Sequence, residues 1–183
     1  MRAVRITRFG PPEVLQLDDV VTPAPGARHV LVRVHAAGVN RADLIQRRGF
    51  YPAPPGFPED IPGLEYAGEV TALGEAARRW QVGDRVMGLV GGGGYAEYVV
   101  VHEDEAISIP DTLSYEQAAA VPEAFLTAYD ALHARLHVQH GESVLIHAVA
   151  SGVGIAAAQL ARQLDCFVIG TARSQWKLDR VAQ

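Results

Sequence analysis

A short glycine-containing loop between two patterned stretches has the composition of a phosphate-binding turn. The apolar run Ser143 to Ala148 indicates a buried strand, and the amphipathic stretch Gly154 to Leu164 indicates a helix. The loop between them consists of Val149, Ala150, Ser151, Gly152, Val153 and Gly154. Backbone N–H groups and the positive end of a helix dipole at such a turn suit a pyrophosphate. Because Val149 and Ser151 occupy the first two glycine positions of the usual G-x-G-x-x-G fingerprint, a purely structural turn is the alternative.

The end of the next apolar run, Cys166 to Thr171, indicates which dinucleotide would bind. An NAD enzyme carries an acidic residue about twenty residues after the loop, where it binds the ribose 2′-hydroxyl. This segment has no carboxylate there, whereas Arg173 and Lys177 can pair with a 2′-phosphate and Ser174 can hydrogen-bond to it. We therefore expect Thr171, Arg173, Ser174 and Lys177 to bind NADPH in preference to NADH. The alternative is that the two cations are only solvated charges at a helix start.

The overall composition favours small-molecule chemistry. The chain has 183 residues, 49% of them hydrophobic, and a formal net charge of −5. This balance argues against a nucleic acid or an anionic membrane as partner, since either normally needs a basic face. Cys166 is the only cysteine, which excludes an intramolecular disulfide and a cysteine-rich zinc site. The segment Met1 to Ile6 lacks the apolar run of a signal peptide or membrane helix, so we expect a cytoplasmic protein.

Short segments punctuated by glycine and proline fill the chain up to about Pro110 and predict a β-rich domain. The predicted strands are Arg2 to Phe9, Val14 to Val20, Val30 to Val39, Tyr66 to Leu73, Arg85 to Val90 and Tyr95 to Val101. One helix is predicted over Asn40 to Arg48, with Asn40 as a possible N-cap and Gly49 as its stop. The glycines at 91–94 precede a strand and favour a flexible turn over a phosphate-binding loop.

After Pro110 the pattern changes to helices alternating with strands. Ser114 to Gln117 has a capping-box pattern, and Pro122 is suited to the first turn of a helix that runs to about Leu136. The strand, helix and strand that follow within about thirty residues form a βαβ unit, whose parallel strands should be buried on both faces. We therefore predict two domains. The first is β-rich and belongs to the α+β class, and the second is the beginning of a doubly wound α/β domain.

Six segments in sequence order carry a family resemblance. They are Gly38 to Asp43, Gly63 to Gly68, Val82 to Val86, Gly93 to Tyr98, Ala119 to Ala128 and Ser151 to Gly154. Together they resemble the zeta-crystallin-like quinone oxidoreductase branch of the medium-chain dehydrogenase/reductase family. Within that branch, the residues of these segments are most similar to the p53-inducible group. The resemblance implies a GroES-like, β-barrel-type substrate domain over residues 1–118. A partial, truncated Rossmann dinucleotide-binding domain would follow over residues 119–183.

The resemblance also implies that the protein is zinc-free. Zinc-dependent members of the family have a cysteine at the position of Asn40 and a histidine at that of Leu64, and the four cysteines of their structural zinc lobe are missing here. Glu65 is expected to be a buried, hydrogen-bonded structural carboxylate rather than a ligand. His133 and His137 have i, i+4 spacing without an evident third ligand, so we expect no metal there.

By the same resemblance, Asn40 and Tyr51 line a cleft near the nicotinamide, with Asp43 close by. Asn40 can donate a hydrogen bond to a quinone oxygen, and Tyr51 can donate a hydrogen bond or a proton. Thr127 matches a family position beside the nicotinamide. The alternatives are that Asn40 only caps a helix and that Tyr51 and Thr127 only pack. The implied reaction is metal-free, direct hydride transfer from NADPH to a quinone, which is already electrophilic.

Enzymes of this family are roughly twice as long as this chain, because their dinucleotide domain is complete. We therefore expect the N-terminal half of such an enzyme, with the contact of a homodimer in the missing half. The partner would be a small-molecule quinone. Two alternatives stay open: an NADPH-dependent 2-alkenal or enoyl reductase, and a non-enzymatic truncated variant acting as an interaction protein. Alone, the chain is expected to bind NADPH weakly or not at all.

Overall fold

Antiparallel strands build the first part of the chain in the computed structural model, which describes residues 1–182. The strands are β1 Arg2–Ile6, β2 Leu15–Asp19, β3 His29–Ala36, β4 Glu65–Leu73, β5 Arg85–Leu89, β6 Tyr98–His102 and β7 Ile107–Ser108. β1 and β2 form a hairpin, and the others form one antiparallel sheet in the order β6-β3-β4-β5-β7. The chain divides into two units, Met1–Pro122 and Glu123–Gln183. Gln183, the predicted end of the second domain, lies outside the described residues.

Each of the six segments predicted as strands overlaps one strand of the structure. The largest differences, three residues each, are at the ends: β1 stops at Ile6, β3 stops at Ala36, and β6 begins only at Tyr98. Alternation along β3 buries Val30 and Val32 completely, as expected where successive side chains point to opposite faces of a sheet. They pack in one core cluster with other buried side chains of this unit, which include Tyr66, Val70, Val86, Val99 and Val101.

Two short helices of the first unit are placed where the capping patterns predict them. α1 spans Arg41–Gln46, and Gly49, at φ 83°, donates its N–H to the carbonyl of Gln46 over 2.8 Å. A left-handed backbone of this kind favours glycine after a helix. α2 spans Tyr115–Ala118, and the capping box at its start is formed by Ser114 and Gln117.

The four-glycine turn at 91–94 is closely packed. The prediction of a flexible turn did not anticipate this packing. Gly92, Gly93 and Gly94 are buried. A methyl group added to Gly94 would lie 2.9 Å from the carbonyl oxygens of Gly63 and Glu65. Glycines here therefore permit close approach of two backbones, in addition to forming the turn.

A buried carboxylate holds the loop that precedes β5. Glu103 accepts hydrogen bonds from the backbone N–H groups of Arg78 and Arg79, at 2.7 and 2.9 Å, and from Nε of Arg28 at 2.9 Å. These three donors lower the pKa of Glu103 to about 2, the Arg78 N–H having the largest effect. Trp80 donates its indole N–H to the Glu103 carbonyl over 2.7 Å. The loop is thus fixed at several points around one residue.

The second unit has the predicted order of helix, strand, helix and strand. Its elements are α3 Pro122–Tyr129, β8 Ser143–Ile146, α4 Gly152–Gln163, β9 Phe167–Gly170 and α5 Gln175–Val181. α3 starts at the last residue of the first unit and continues as π-helical turns over Asp130–Arg135. β8 and β9 are parallel, with Ser143 opposite Phe167 and Ile146 opposite Gly170. The predicted helix from Pro122 to about Leu136 is confirmed in extent, although its last six residues are π-helical.

The prediction that both faces of these strands are buried is wrong for the described chain. Val144 and Ile146 are buried in a cluster with α3 and α4, whereas Leu145, Phe167 and Ile169 are 56%, 67% and 45% exposed. The reason is that α3 and α4 cover only the side of the sheet on which Val144 and Ile146 lie. Cys166 is buried in the same cluster, and its thiol lies 3.4 Å from the Gln139 carbonyl.

Within residues 1–182, no helix has the length and apolar character needed to span a membrane.

Candidate functional site

Asn40 is held by a buried carboxylate of the first unit. Its backbone precedes α1 in an extended conformation, and its side-chain Nδ2 donates to Oε1 of Glu65 over 2.7 Å. Glu65 is the first residue of β4 and is 3% exposed, which confirms the prediction of a buried, hydrogen-bonded carboxylate. Gly38 allows this arrangement, because a methyl group at position 38 would overlap Oε1 of Glu65 and lie 2.7 Å from the Ala119 carbonyl.

Asp43 connects Asn40 to a tyrosine far along the chain. Oδ2 of Asp43 accepts the backbone N–H of Asn40 over 2.7 Å and the phenol of Tyr95 over 2.6 Å. Asp43 is 5% exposed, so the two bonds lie in a largely desolvated place. Burial, the hydrogen bond to Asp43, and the charges of Asp43 and Glu65 raise the pKa of Tyr95 well above its usual value of 10.0. Tyr95 is therefore a hydrogen-bond donor at neutral pH and not a base.

Tyr51 lies apart from this network. It follows α1 in the loop that includes Pro54 and Phe57, and its side chain is 44% exposed. Its hydroxyl makes no hydrogen bond with any residue from 1 to 182. The structure thus brings together Asn40 and Asp43 of the three predicted catalytic residues, and leaves Tyr51 with a free hydroxyl on the surface of the unit.

The predicted phosphate-binding loop has the geometry of a helix N-terminus. Ser151 is the N-cap of α4, and its Oγ accepts the N–H of Gly154 over 3.1 Å. The N–H groups of Gly152 and Val153 lie in the first turn and have no acceptor within the helix. A methyl group on Gly154 would lie 2.5 Å from the Ala148 carbonyl, which confirms that glycine is needed for close helix–strand packing here.

Of the residues predicted to bind a 2′-phosphate, Thr171, Arg173 and Ser174 lie at the turn between β9 and α5, and Lys177 lies in the first turn of α5. The Thr171 hydroxyl lies 2.9 Å from Nδ1 of His147, Arg173 is exposed, and Ser174 is the N-cap of α5. Lys177 places its ammonium 5.4 Å from the centre of the Trp176 ring.

A cavity of about 380 Å³ lies between α4 and α5 and includes two of the predicted cofactor-binding residues, Ala150 and Lys177. Arg162, Arg180 and Trp176 also line it. None of its three cations forms an ion pair with an acidic side chain in the described part of the chain. The cavity therefore has an uncompensated positive charge.

Thr127 lies on α3 in the second unit with an exposed side chain. It makes no side-chain hydrogen bond within the described chain. No group of three or more His, Cys, Asp or Glu side chains in residues 1–182 is arranged to hold a metal ion.

Comparisons with known proteins agree with the architecture of the chain. Residues 26–111 match the alcohol dehydrogenase GroES-like domain. The chain has a GroES-like, β-rich N-terminal domain followed by a short parallel sheet with helices, the start of a Rossmann fold. The chain is similar to curated quinone oxidoreductases, with about 41% identity over the N-terminal half of these proteins.

Two of these similar proteins come from distant organisms. The chain is 42% identical over 177 residues to the quinone oxidoreductase of Pongo abelii and 41% identical over 177 residues to that of Pseudomonas aeruginosa. Each match includes 96% of this chain and 54% of the relative. The chain therefore spans about half the length of the curated relatives that it matches.

Solved structures of two kinds of reductase share the fold of this chain. The Escherichia coli quinone oxidoreductase, solved in complex with NADPH, has a TM-score of 0.90 and 32% identity, over 100% of this chain and 56% of that protein. The CurK enoyl reductase has a TM-score of 0.88 and 30% identity, over 99% of this chain and 57% of that protein.

Sequence reasoning missed two contacts of the Asn40 network. The hydrogen bond from Asn40 to Glu65 joins residues 25 apart, and the bond from Tyr95 to Asp43 joins residues 52 apart. The available signal was the resemblance at Gly63 to Gly68 and Gly93 to Tyr98. It gave Glu65 the role of a buried, hydrogen-bonded carboxylate without naming its partner, and it assigned no role to Tyr95.

Proposed function

We propose that the protein carrying this chain is an NADPH-dependent quinone oxidoreductase of the p53-inducible type, which reduces a quinone without a metal. The observation that carries the proposal is the Asn40 amide, fixed by Glu65 at 2.7 Å, where zinc-type relatives place a ligand. An amide nitrogen has two N–H groups, and one of them serves Glu65. The second is the donor proposed for a quinone oxygen.

The second unit fits a phosphorylated dinucleotide. The free N–H groups of Gly152 and Val153, at the positive end of α4, suit a pyrophosphate. The turn after β9 has no carboxylate that would repel a 2′-phosphate, and Lys177 and Arg173 supply positive charge there. NADPH, when bound, supplies the hydride.

The residues of the first unit would act on the quinone. Asn40 would orient the acceptor and stabilise the negative charge that develops on its oxygen, because a fixed donor aimed at that charge lowers the barrier. Tyr51, whose hydroxyl is free, would donate a hydrogen bond or a proton to the second oxygen. Asp43 holds the backbone of Asn40 and would not contact the quinone.

The test uses the product of the complete reading frame, assayed for NADPH and NADH oxidation with a panel of quinones. We expect quinone reduction with NADPH preferred. Asn40→Ala should lower kcat/KM for the quinone about three- to tenfold, which is the loss of one neutral hydrogen bond. Lys177→Ala should raise the KM for NADPH about tenfold and leave that for NADH unchanged. Equal use of the two cofactors by the wild-type protein would contradict the cofactor assignment.

The second candidate is an NADPH-dependent enoyl or 2-alkenal reductase. It is favoured by the similarity to the CurK enoyl reductase. An enone panel run beside the quinones separates the candidates. A higher kcat/KM for enones would replace the first proposal by the second, and no reduction of either class would remove both.

A further inference from the structure

The four-glycine turn at 91–94 fixes the position of Tyr95, the residue that follows it. The Tyr95 N–H donates to the Pro62 carbonyl over 2.9 Å, and its own carbonyl accepts from Val4 over 2.9 Å. Gly63, at φ 101°, lies against it so closely that a methyl group there would be 2.6 Å from Cδ1 of Tyr95. The backbone and the ring of Tyr95 are therefore fixed from both sides before its hydroxyl makes any contact.

The hydroxyl of Tyr95 has one proton and two acceptors within reach. Oδ2 of Asp43 lies at 2.6 Å and the Gly38 carbonyl at 3.3 Å, so the proton is directed to the carboxylate. Oδ1 of Asp43 is buried and has no hydrogen-bond partner within residues 1–182. Oδ2 therefore carries the hydrogen bonds of this carboxylate, one from Tyr95 and one from the Asn40 backbone.

Without the hydroxyl of Tyr95, the Asp43 carboxylate would keep a single hydrogen-bond donor, the backbone N–H of Asn40. A buried carboxylate in that position seeks another partner, because a desolvated charge without donors is costly. If the Asp43 carboxylate turned towards another donor, its Oδ2 would no longer accept the backbone N–H of Asn40. The Asn40 amide would then depend on Glu65 alone for its orientation.

We infer that Tyr95 is a positioning residue, which acts through Asp43 to hold the Asn40 amide in the orientation needed for a quinone oxygen. The inference rests on the proposed function, because it assigns a task to the same amide. The inference also gives a role to the glycines at 91–94, which no helix follows. They allow the close backbone approach that brings Tyr95 near Asp43.

The test is a double-mutant cycle on the product of the complete reading frame, with Tyr95→Phe, Asp43→Asn and the double variant. Tyr98→Phe is the matched control, because Tyr98 is nearby on β6 and its hydroxyl has no partner within the described chain. We expect Tyr95→Phe to lower kcat for the quinone about tenfold, with the Kd for NADPH unchanged. In the Asp43→Asn background the same change should have less than about a twofold effect, since residues in one network are not additive.

A spectroscopic measurement on the 183-residue chain separates positioning from folding. The side-chain amide resonances of Asn40 should shift in Tyr95→Phe and stay in place in Tyr98→Phe, while most other amide resonances stay unchanged in both. If the wild-type protein reduces quinones and Tyr95→Phe behaves like Tyr98→Phe, the inference is overturned and the proposed function stands. If the wild-type protein reduces no quinone, the proposed function fails, and unchanged Asn40 resonances would then overturn the positioning role as well.

Discussion

Replacing Gly38 by alanine tests whether the Asn40 network is as tightly packed as its geometry indicates. The added methyl group would overlap Oε1 of Glu65 and lie 2.7 Å from the Ala119 carbonyl. The backbone oxygen cannot move far, because α2 is fixed by its capping box. The carboxylate of Glu65 must therefore move, and its 2.7 Å bond to Asn40 would break.

The magnitude follows from three contributions. Overpacking costs about 1–3 kcal/mol, and losing a hydrogen bond to a charged group costs about 1.5–3 kcal/mol. The smaller entropy of the unfolded alanine chain returns about 0.4–1 kcal/mol. We expect the free energy of unfolding of the first unit to fall by about 1.5–5.6 kcal/mol. With a urea m-value of about 2 kcal/mol/M, the midpoint would fall by about 0.8–2.8 M.

The assay reads the first unit alone. The chain has two tryptophans, Trp80 in the first unit and Trp176 in the second. In a Trp176→Phe background, fluorescence during urea unfolding reports on Trp80. The control is Gly83→Ala, because a methyl group at Gly83 meets no atom within 4 Å and only the backbone strain at φ 98° remains. That strain costs about 1–2 kcal/mol. A midpoint for Gly38→Ala equal to or above that of Gly83→Ala would refute the packing argument.

Two further predictions concern stability. Glu103 has a pKa of about 2 in the folded chain against a usual value of 4.5, so its contribution is present above pH 4.5 and is lost as the pH falls towards 2. The difference in melting temperature between wild type and Glu103→Gln should therefore shrink across that window, and a constant difference would contradict the assignment. Tyr66 is completely buried, and its hydroxyl has no partner among residues 1–182. Tyr66→Phe should raise the free energy of unfolding by about 1 kcal/mol in urea titrations, and a loss of stability would show that the hydroxyl is satisfied.

The strands and helices could be predicted because their signals are local. Glycine and proline mark the strand ends of the first unit, and the capping pattern at Ser114 marks α2 directly. β7 was not predicted, because Ile107–Ser108 is too short to show a period. The burial of β8 and β9 was predicted from the apolar content of both runs. Such content cannot tell which side of a strand its helices cover, and here one side of each strand is exposed.

The candidate site was predictable only in its local part. Asn40 and Asp43 are three residues apart on either side of a helix start, so their contact follows from helix geometry. The bonds to Glu65 and Tyr95 depend on where β4 and the glycine turn bring those side chains. No periodicity encodes such long-range contacts. The resemblance marked the segments, and the hydrogen bonds are seen only in the folded structure.

The single cysteine offers a way to observe the second unit by itself. Cys166 is buried between α4 and β9, and the chain has no other thiol. A thiol reagent can react with it only after that unit opens, because the thiolate must be reached by solvent. The labelling rate under native conditions therefore measures the opening of the βαβ unit without a signal from the first unit. Comparing this rate with and without NADPH would detect cofactor binding to the 183-residue chain even when the affinity is too weak for calorimetry.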